Sequence, residues 1–81
     1  MEREEIFRRL NVVFRDVFDD DSITVTDHTT ADDIEDWDSM MHISLVSAVE
    51  DEFSVKFNMK EVVSMKDVGE MADIIAREAG H

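Results

Sequence analysis

The stretch Asp36-Trp37-Asp38-Ser39-Met40-Met41-His42-Ile43-Ser44-Leu45-Val46 decides how this chain is read. A polar, acidic segment ends here and an apolar-periodic one begins. Leu45, Val46, Val49 and Phe53 recur at helical spacing, which predicts a helix from about Ser39 to Phe53. Asp38 is its expected N-cap, since a short carboxylate there accepts hydrogen bonds from first-turn amides. On a helical wheel Met40, Ser44, Ser47 and Asp51 fall opposite the apolar stripe, with Ile43 at one border. The Ser39 hydroxyl is thereby placed at a helix N-terminus, the part of a helix that favours a phosphate. A serine bearing a phosphorylated prosthetic group would be well placed there.

Upstream, Ile6, Leu10, Val13, Phe14 and Val17 share one helical face, widened by Phe7, Val12 and Phe18, and predict a helix from about Glu2 to Phe18. Glu2, Glu4 and Glu5 favour its N-terminal end electrostatically. Asp19 to Asp38 reads as a long ordered connection pinned by Ile23, Val25 and Ile34, with a short turn at Ala31–Ile34. Downstream, Asn58 with Glu61 resembles a capping box for a short helix through Val63, and Ser64 with Asp67 repeats that logic for a last helix to about Ala79. Val68, Met71, Ala72 and Ile75 supply its apolar face. Gly69 weakens that helix by roughly 1 kcal/mol relative to Ala, unless close packing needs a small residue. Gly80 is the expected stop. The sum is an all-α domain over residues 1–81, with three main helices, one short helix and a long first loop.

Composition narrows the function. With 81 residues the chain holds a core but does not easily enclose a large active site. It has no cysteine, so there is no disulfide and no thiolate metal site. No stretch is apolar and long enough to cross a bilayer. The start Met1-Glu2-Arg3-Glu4-Glu5 lacks the features of a signal peptide, so a cytoplasmic protein is expected. The formal net charge of −13 disfavours nucleic acid and anionic membranes and steers basic proteins toward the surface. No Lys or Arg occurs between Arg15 and Lys56, which makes that acidic middle segment a candidate partner surface.

Asp38-Ser39-Met40, followed by Ile43, Leu45-Val46 and Ala48-Val49-Glu50-Asp51-Glu52-Phe53, resembles the acyl carrier proteins. Their usual motif is Asp-Ser-Leu ahead of a helix that ends in an acidic run and Phe. The string from Trp37 to Ile43 is similar to stand-alone carriers found beside specialised biosynthetic enzymes. The resemblance covers nearly the whole chain, including the short helix at Asn58–Val63 and the closing helix with Asp73-Ile74-Ile75. It implies a four-helix acyl-carrier-like bundle that acts as a monomer and is not an enzyme. It further implies a phosphopantetheinyl transferase that uses coenzyme A and a divalent metal to attach 4′-phosphopantetheine to Ser39. Acyl groups would then ride as thioesters on that arm, in fatty-acid-like, polyketide-like or other specialised biosynthesis. The arm would also supply the sulfur that the chain lacks.

Under the same resemblance Asp38 marks the site for the transferase. Met40, Glu50 and Asp51 are the expected contacts for basic-patch acyl-transferring or condensing enzymes. Met40 replaces the usual Leu, a volume-conserving change. Ser44 and Ser47 stand where carriers of fatty acid synthesis commonly present an acid and an apolar side chain, which points to a specialised pathway. Ile43, Val46, Ile74 and several methionines are candidates to line an acyl cavity, although ordinary core packing explains them as well.

Other readings of the same residues stay open. A peptidyl or aminoacyl carrier has the same logic with a different cargo, and an unmodified acidic helical adaptor would use Ser39 only as a helix residue. Ser39 and His42 are one turn apart, as a nucleophile and base would be. No Gly-x-Ser-x-Gly elbow accompanies them, and His42 at the lip of the core is the plainer expectation. Asp19-Asp20-Asp21 hints at a calcium loop but lacks the loop glycine and the twelfth-position Glu, so no metal site is expected. Trp37 is either a partner contact or a staple for the loop. His28 is a loop residue and His81 a terminal one.

Overall fold

A computed structural model describes residues 1–79. Its helices are α1 (Arg3–Val17), α2 (Ser39–Phe53), α3 (Met59–Ser64) and α4 (Val68–Ala79), with a 3-10 turn at Ala31–Asp33. The described residues form an all-α bundle, as the periodicity predicts. The expected helix stop at Gly80 and the terminal His81 lie outside the described residues.

The helices start and stop for local reasons. α1 ends one residue earlier than predicted because Asp19 adopts a left-handed conformation (φ 51°). Its neighbour Asp20 donates its backbone N–H back to the Arg15 carbonyl at 3.0 Å, a closure that satisfies a helix-end acceptor. α2 has the predicted bounds. Asp38 caps it, its Oδ1 accepting from the Met41 N–H at 2.8 Å. Ser54, also left-handed (φ 55°), ends it. Asn58 and Glu61 form the predicted capping box at α3. The start of α4 differs from expectation. Ser64 is the last residue of α3, and Asp67 itself caps α4 by accepting from the Glu70 N–H at 2.8 Å. Glu70 in turn accepts from the N–H of Lys66, the residue before the cap, so the capping group sits three residues later than predicted and is not a full reciprocal box.

The core gathers one face from each helix. Ile6, Leu10 and Phe14 of α1, Leu45 and Val49 of α2, and Val68, Ala72 and Ile75 of α4 are fully buried. Val12, expected to widen the α1 stripe, is instead 58% exposed. The long connection is ordered by side chains that reach into it. Asn11 Oδ1 accepts from the Val25 N–H at 2.7 Å, and Arg15 Nε donates to the Ile23 carbonyl at 2.6 Å. Val25 and Ile34 are buried and Ile23 is half-buried, so all the predicted pins face the core to some degree.

Gly69 has a steric reason. Its N–H donates to the Asp27 carbonyl at 3.1 Å, as the Val68 N–H does to Thr29 at 2.8 Å, so the loop satisfies the first amides of α4. A Cβ on Gly69 would stand 2.6 Å from the Asp27 oxygen. Backbone on both sides leaves little room to yield. Helix propensity alone favours Gly69→Ala by roughly 1 kcal/mol, but the clash outweighs it. The substitution is expected to destabilise the domain by about 1–3 kcal/mol in chemical denaturation. A gain in stability would show that the loop gives way freely.

Candidate functional site

Ser39 is the first residue of α2 and is exposed. The acidic connection delivers it there, and Asp38 fixes the entry of the chain through its cap. Met40 beside it is 82% exposed, Ile43 one turn on is 56% exposed, and Ser44 and Ser47 continue the same outward face. An open groove of about 490 Å³ runs from Ser39 along the seam between α2 and α3. Its walls include Trp37, His42, Ile43, Val62, Val63 and Met65, with Asp38, Lys66 and Asp67 also bordering it. Val46 and Ile74, candidates from sequence for a cavity lining, are not part of this groove. Val46 is buried in the core and Ile74 packs at its edge.

Trp37 and His42 build the wall nearest Ser39. The indole packs edge-on against Phe14 of α1, with ring centroids 5.4 Å apart at 75°, and lies 6.2 Å from Phe18. It is a staple for the loop, half-buried rather than displayed. Its Nε1–H donates to His42 Nδ1 at 3.1 Å. The two rings are nearly coplanar, at 22° with centroids 5.9 Å apart, and meet edge to edge as an N–H···N bond demands. His42 Nε2 lies 2.9 Å from the Val62 carbonyl. With Nδ1 accepting, the proton must sit on Nε2 and donate to Val62, an assignment made from the network. Both imidazole nitrogens are thus committed, and neither is free to take a proton from Ser39. The nucleophile–base reading therefore fails on hydrogen-bond accounting. The structure places His42 at the lip of the core as expected, while its bridging role depends on α3, far away in sequence.

The acidic candidates separate. Glu50 is half-buried, and its Oε2 accepts from the Phe57 N–H at 2.8 Å, which orders the α2–α3 connection. Asp51 is exposed and lines a second open groove with Asp16, Asp19, Asp21 and Glu52. Asp20 turns inward on its own loop, accepting from Ser22. Among the described residues no group of three or more His, Asp or Glu side chains is arranged to hold a metal ion.

A small helical bundle that presents a serine at the head of its second helix, beside an open groove and without catalytic partners, is a carrier scaffold. Comparison with known families supports that class. The family described as phosphopantetheine attachment site matches residues 8–75. The chain belongs to this phosphopantetheine-binding carrier family, and its prosthetic group is covalently attached 4′-phosphopantetheine. It is a carrier rather than an enzyme. Among solved structures it is similar to a holo acyl carrier protein from Geobacter metallireducens. The two are 39% identical, with a TM-score of 0.86 over 91% of this chain and 85% of that one. A comparison with curated proteins finds no match. No helix among the described residues is long and apolar enough to cross a membrane.

α3 borders the groove, and a single ion pair joins it to α4. The Arg77 guanidinium, first, and the Asn58 cap N–H, second, hold the Glu61 carboxyl below its usual range. A carboxylate with a lowered folded pKa stabilises the fold above its unfolded value of about 4.3 and loses that contribution as pH falls through the folded value. Amides of α3 are therefore expected to lose hydrogen-exchange protection before those of α1 do as pH falls below the ordinary carboxylate range and through the lowered Glu61 value. Glu61→Gln should remove most of this acid dependence. A variant that keeps the parent's pH profile would show that the pair does not hold α3.

Proposed function

We propose that Ser39 carries the phosphopantetheine arm and that this chain is a discrete cytoplasmic acyl carrier serving a specialised, fatty-acid-like or polyketide-like pathway. The observation that carries the reading is the exposed Ser39 hydroxyl at the first position of α2, opening onto the groove. First-turn amides of a helix have no intrahelical partner and favour an anion, which suits a phosphodiester at this place. Asp36 and Asp38 oppose it, so the group must point outward into water, where screening is effective. Asp38 keeps its carboxylate on the Met41 N–H and holds the helix start in place. When bound, the arm supplies a thiol on which acyl groups ride as thioesters.

The likeness to a holo acyl carrier protein supports an acyl cargo. The outward face of α2 supports a specialised role. From Ser39 to Ser47 it presents Met40, Ile43 and Ser44 and no charged side chain. A housekeeping partner that needs an acid in those turns finds none. Basic partners would instead meet Asp51 and its acidic neighbours at the far end of α2, while an apolar collar around the partner's active-site mouth meets Met40 and Ile43. Glu50, held by Phe57, contributes charge there rather than a free contact.

Two measurements test this. Incubation with coenzyme A, magnesium and a broad-specificity phosphopantetheinyl transferase should add the mass of one arm, and Ser39→Ala should abolish the gain. A gain that survives Ser39→Ala would place the arm elsewhere. Asp51→Lys should slow association with the transferase several-fold at low salt, with the difference fading as salt rises. Equal rates at low ionic strength would remove Asp51 from the docking surface.

A further inference from the structure

α3 has little intrinsic stability. A helix of 6 residues is too short to stand alone in water, so its place depends on tertiary contacts. Only Val62 among its residues is buried, while Met59 and Val63 remain 73% and 77% exposed. Besides the Glu61–Arg77 pair, the link that ties it toward Ser39 is the hydrogen bond from His42 Nε2–H to the Val62 carbonyl. That bond crosses the seam between α2 and α3 one helical turn beyond Ser39. His42 is in turn oriented by the Trp37 indole, which Phe14 and Phe18 hold from behind. Rotating the imidazole away would leave half-buried polar groups unpaired at both ends. The open groove takes in Ile43, Val63 and Met65 and has the core side chain Met71 at its floor, whereas Leu45, Val46 and Ile75 are buried and do not line it.

We propose that His42 is a cargo-positioning residue: by latching α3 onto α2 it shuts the passage between these helices, so that an acyl group on the Ser39 arm lies in the outer groove and does not thread into the core. This rests on the carrier reading of Ser39. The groove then sets the class of cargo. Its apolar wall takes short acyl chains, and its Asp38, Lys66 and Asp67 border tolerates hydroxyl or other polar substituents. A long unbranched hydrocarbon gains no shelter beyond the groove.

The test loads the isotopically labelled full chain with butyryl, 3-hydroxybutyryl or dodecanoyl arms, each sample checked by intact mass, and reads its nuclear magnetic resonance spectrum. The Trp37 Nε1–H resonance and the His42 ring nitrogens report the latch, and the Leu45 and Ile75 amides report the core. All three cargoes should leave the Nε2–H tautomer and the Trp37 resonance in place, with shifts confined to Ile43, Val63, Met65 and their neighbours. In His42→Ala the dodecanoyl group should shift Leu45 and Ile75, and His42→Gln, which keeps an N–H donor for Val62, should reverse this. A dodecanoyl group that erases the latch signals and shifts the core amides of the parent chain would overturn the proposal. So would identical dodecanoyl spectra for the parent and His42→Ala.

A second arm needs no transferase. The chain has no cysteine, so Ser39→Cys takes a dodecyl disulfide at that one position. The same resonances should again show the latch closed and the core unshifted, and an opened latch overturns the proposal here too. Failure to take an arm from coenzyme A would count against the carrier reading, while this sample still decides the role of His42.

Discussion

The Trp37 indole is where the architecture converges. It packs against Phe14 of α1 and against Phe18 just past the end of that helix, and its one polar atom reaches His42 of α2, which passes the connection on to Val62 of α3. Each such hydrogen bond contributes only about 1 kcal/mol net. The geometric consequence is larger than that figure. A long connection without regular structure ends in a fixed aromatic anchor, so Asp38 and Ser39 enter α2 at one place and in one direction. The hydroxyl next to the anchor is exposed because the anchor is not.

The connection itself is ordered by the same economy. Asn11 spans from α1 to the Val25 amide, and carbonyls of Asp27 and Thr29 meet the opening amides of α4. These contacts replace the regular hydrogen bonding that a loop of this length lacks, and they explain why Gly69 is placed where helix propensity alone would refuse it. Arg3 adds exposed ion pairs to Asp27 and Asp73 across the same junction. Exposed pairs of this kind contribute little to stability, so the backbone contacts and buried apolar faces do most of the holding.

Charge is distributed to match a carrier that must be approached at one point. Acids flank the uncharged first turns of α2: Asp36 and Asp38 precede them, and Asp51 and Glu52 at the far end share a groove with Asp16, Asp19 and Asp21. Such a field orients a basic partner during encounter. In the proposed function, uncharged Met40, Ile43 and Ser44 then meet that partner near Ser39, where close fit matters more than long-range attraction. Glu50 shows how internal demand can claim a surface acid: the Phe57 amide needs an acceptor, and Glu50 supplies it.

Much of this was legible in the chain. The bounds of α2, its Asp38 cap, the Asn58–Glu61 box and the outward placement of Met40, Ser44, Ser47 and Asp51 follow from periodicity and capping chemistry, which act over a turn or two of helix. The exposed Ser39 follows from the same local rules. Other features depended on which segments meet in space. The commitment of both His42 nitrogens, the internal use of Glu50, the exposure of Val12, the steric demand at Gly69 and the groove walled by Val63 and Met65 involve residues far apart in sequence. Short-range patterns determine where helices begin and which face is apolar. Only the packed chain decides which polar groups find partners and which stay free, because that requires knowing what lies across the seam.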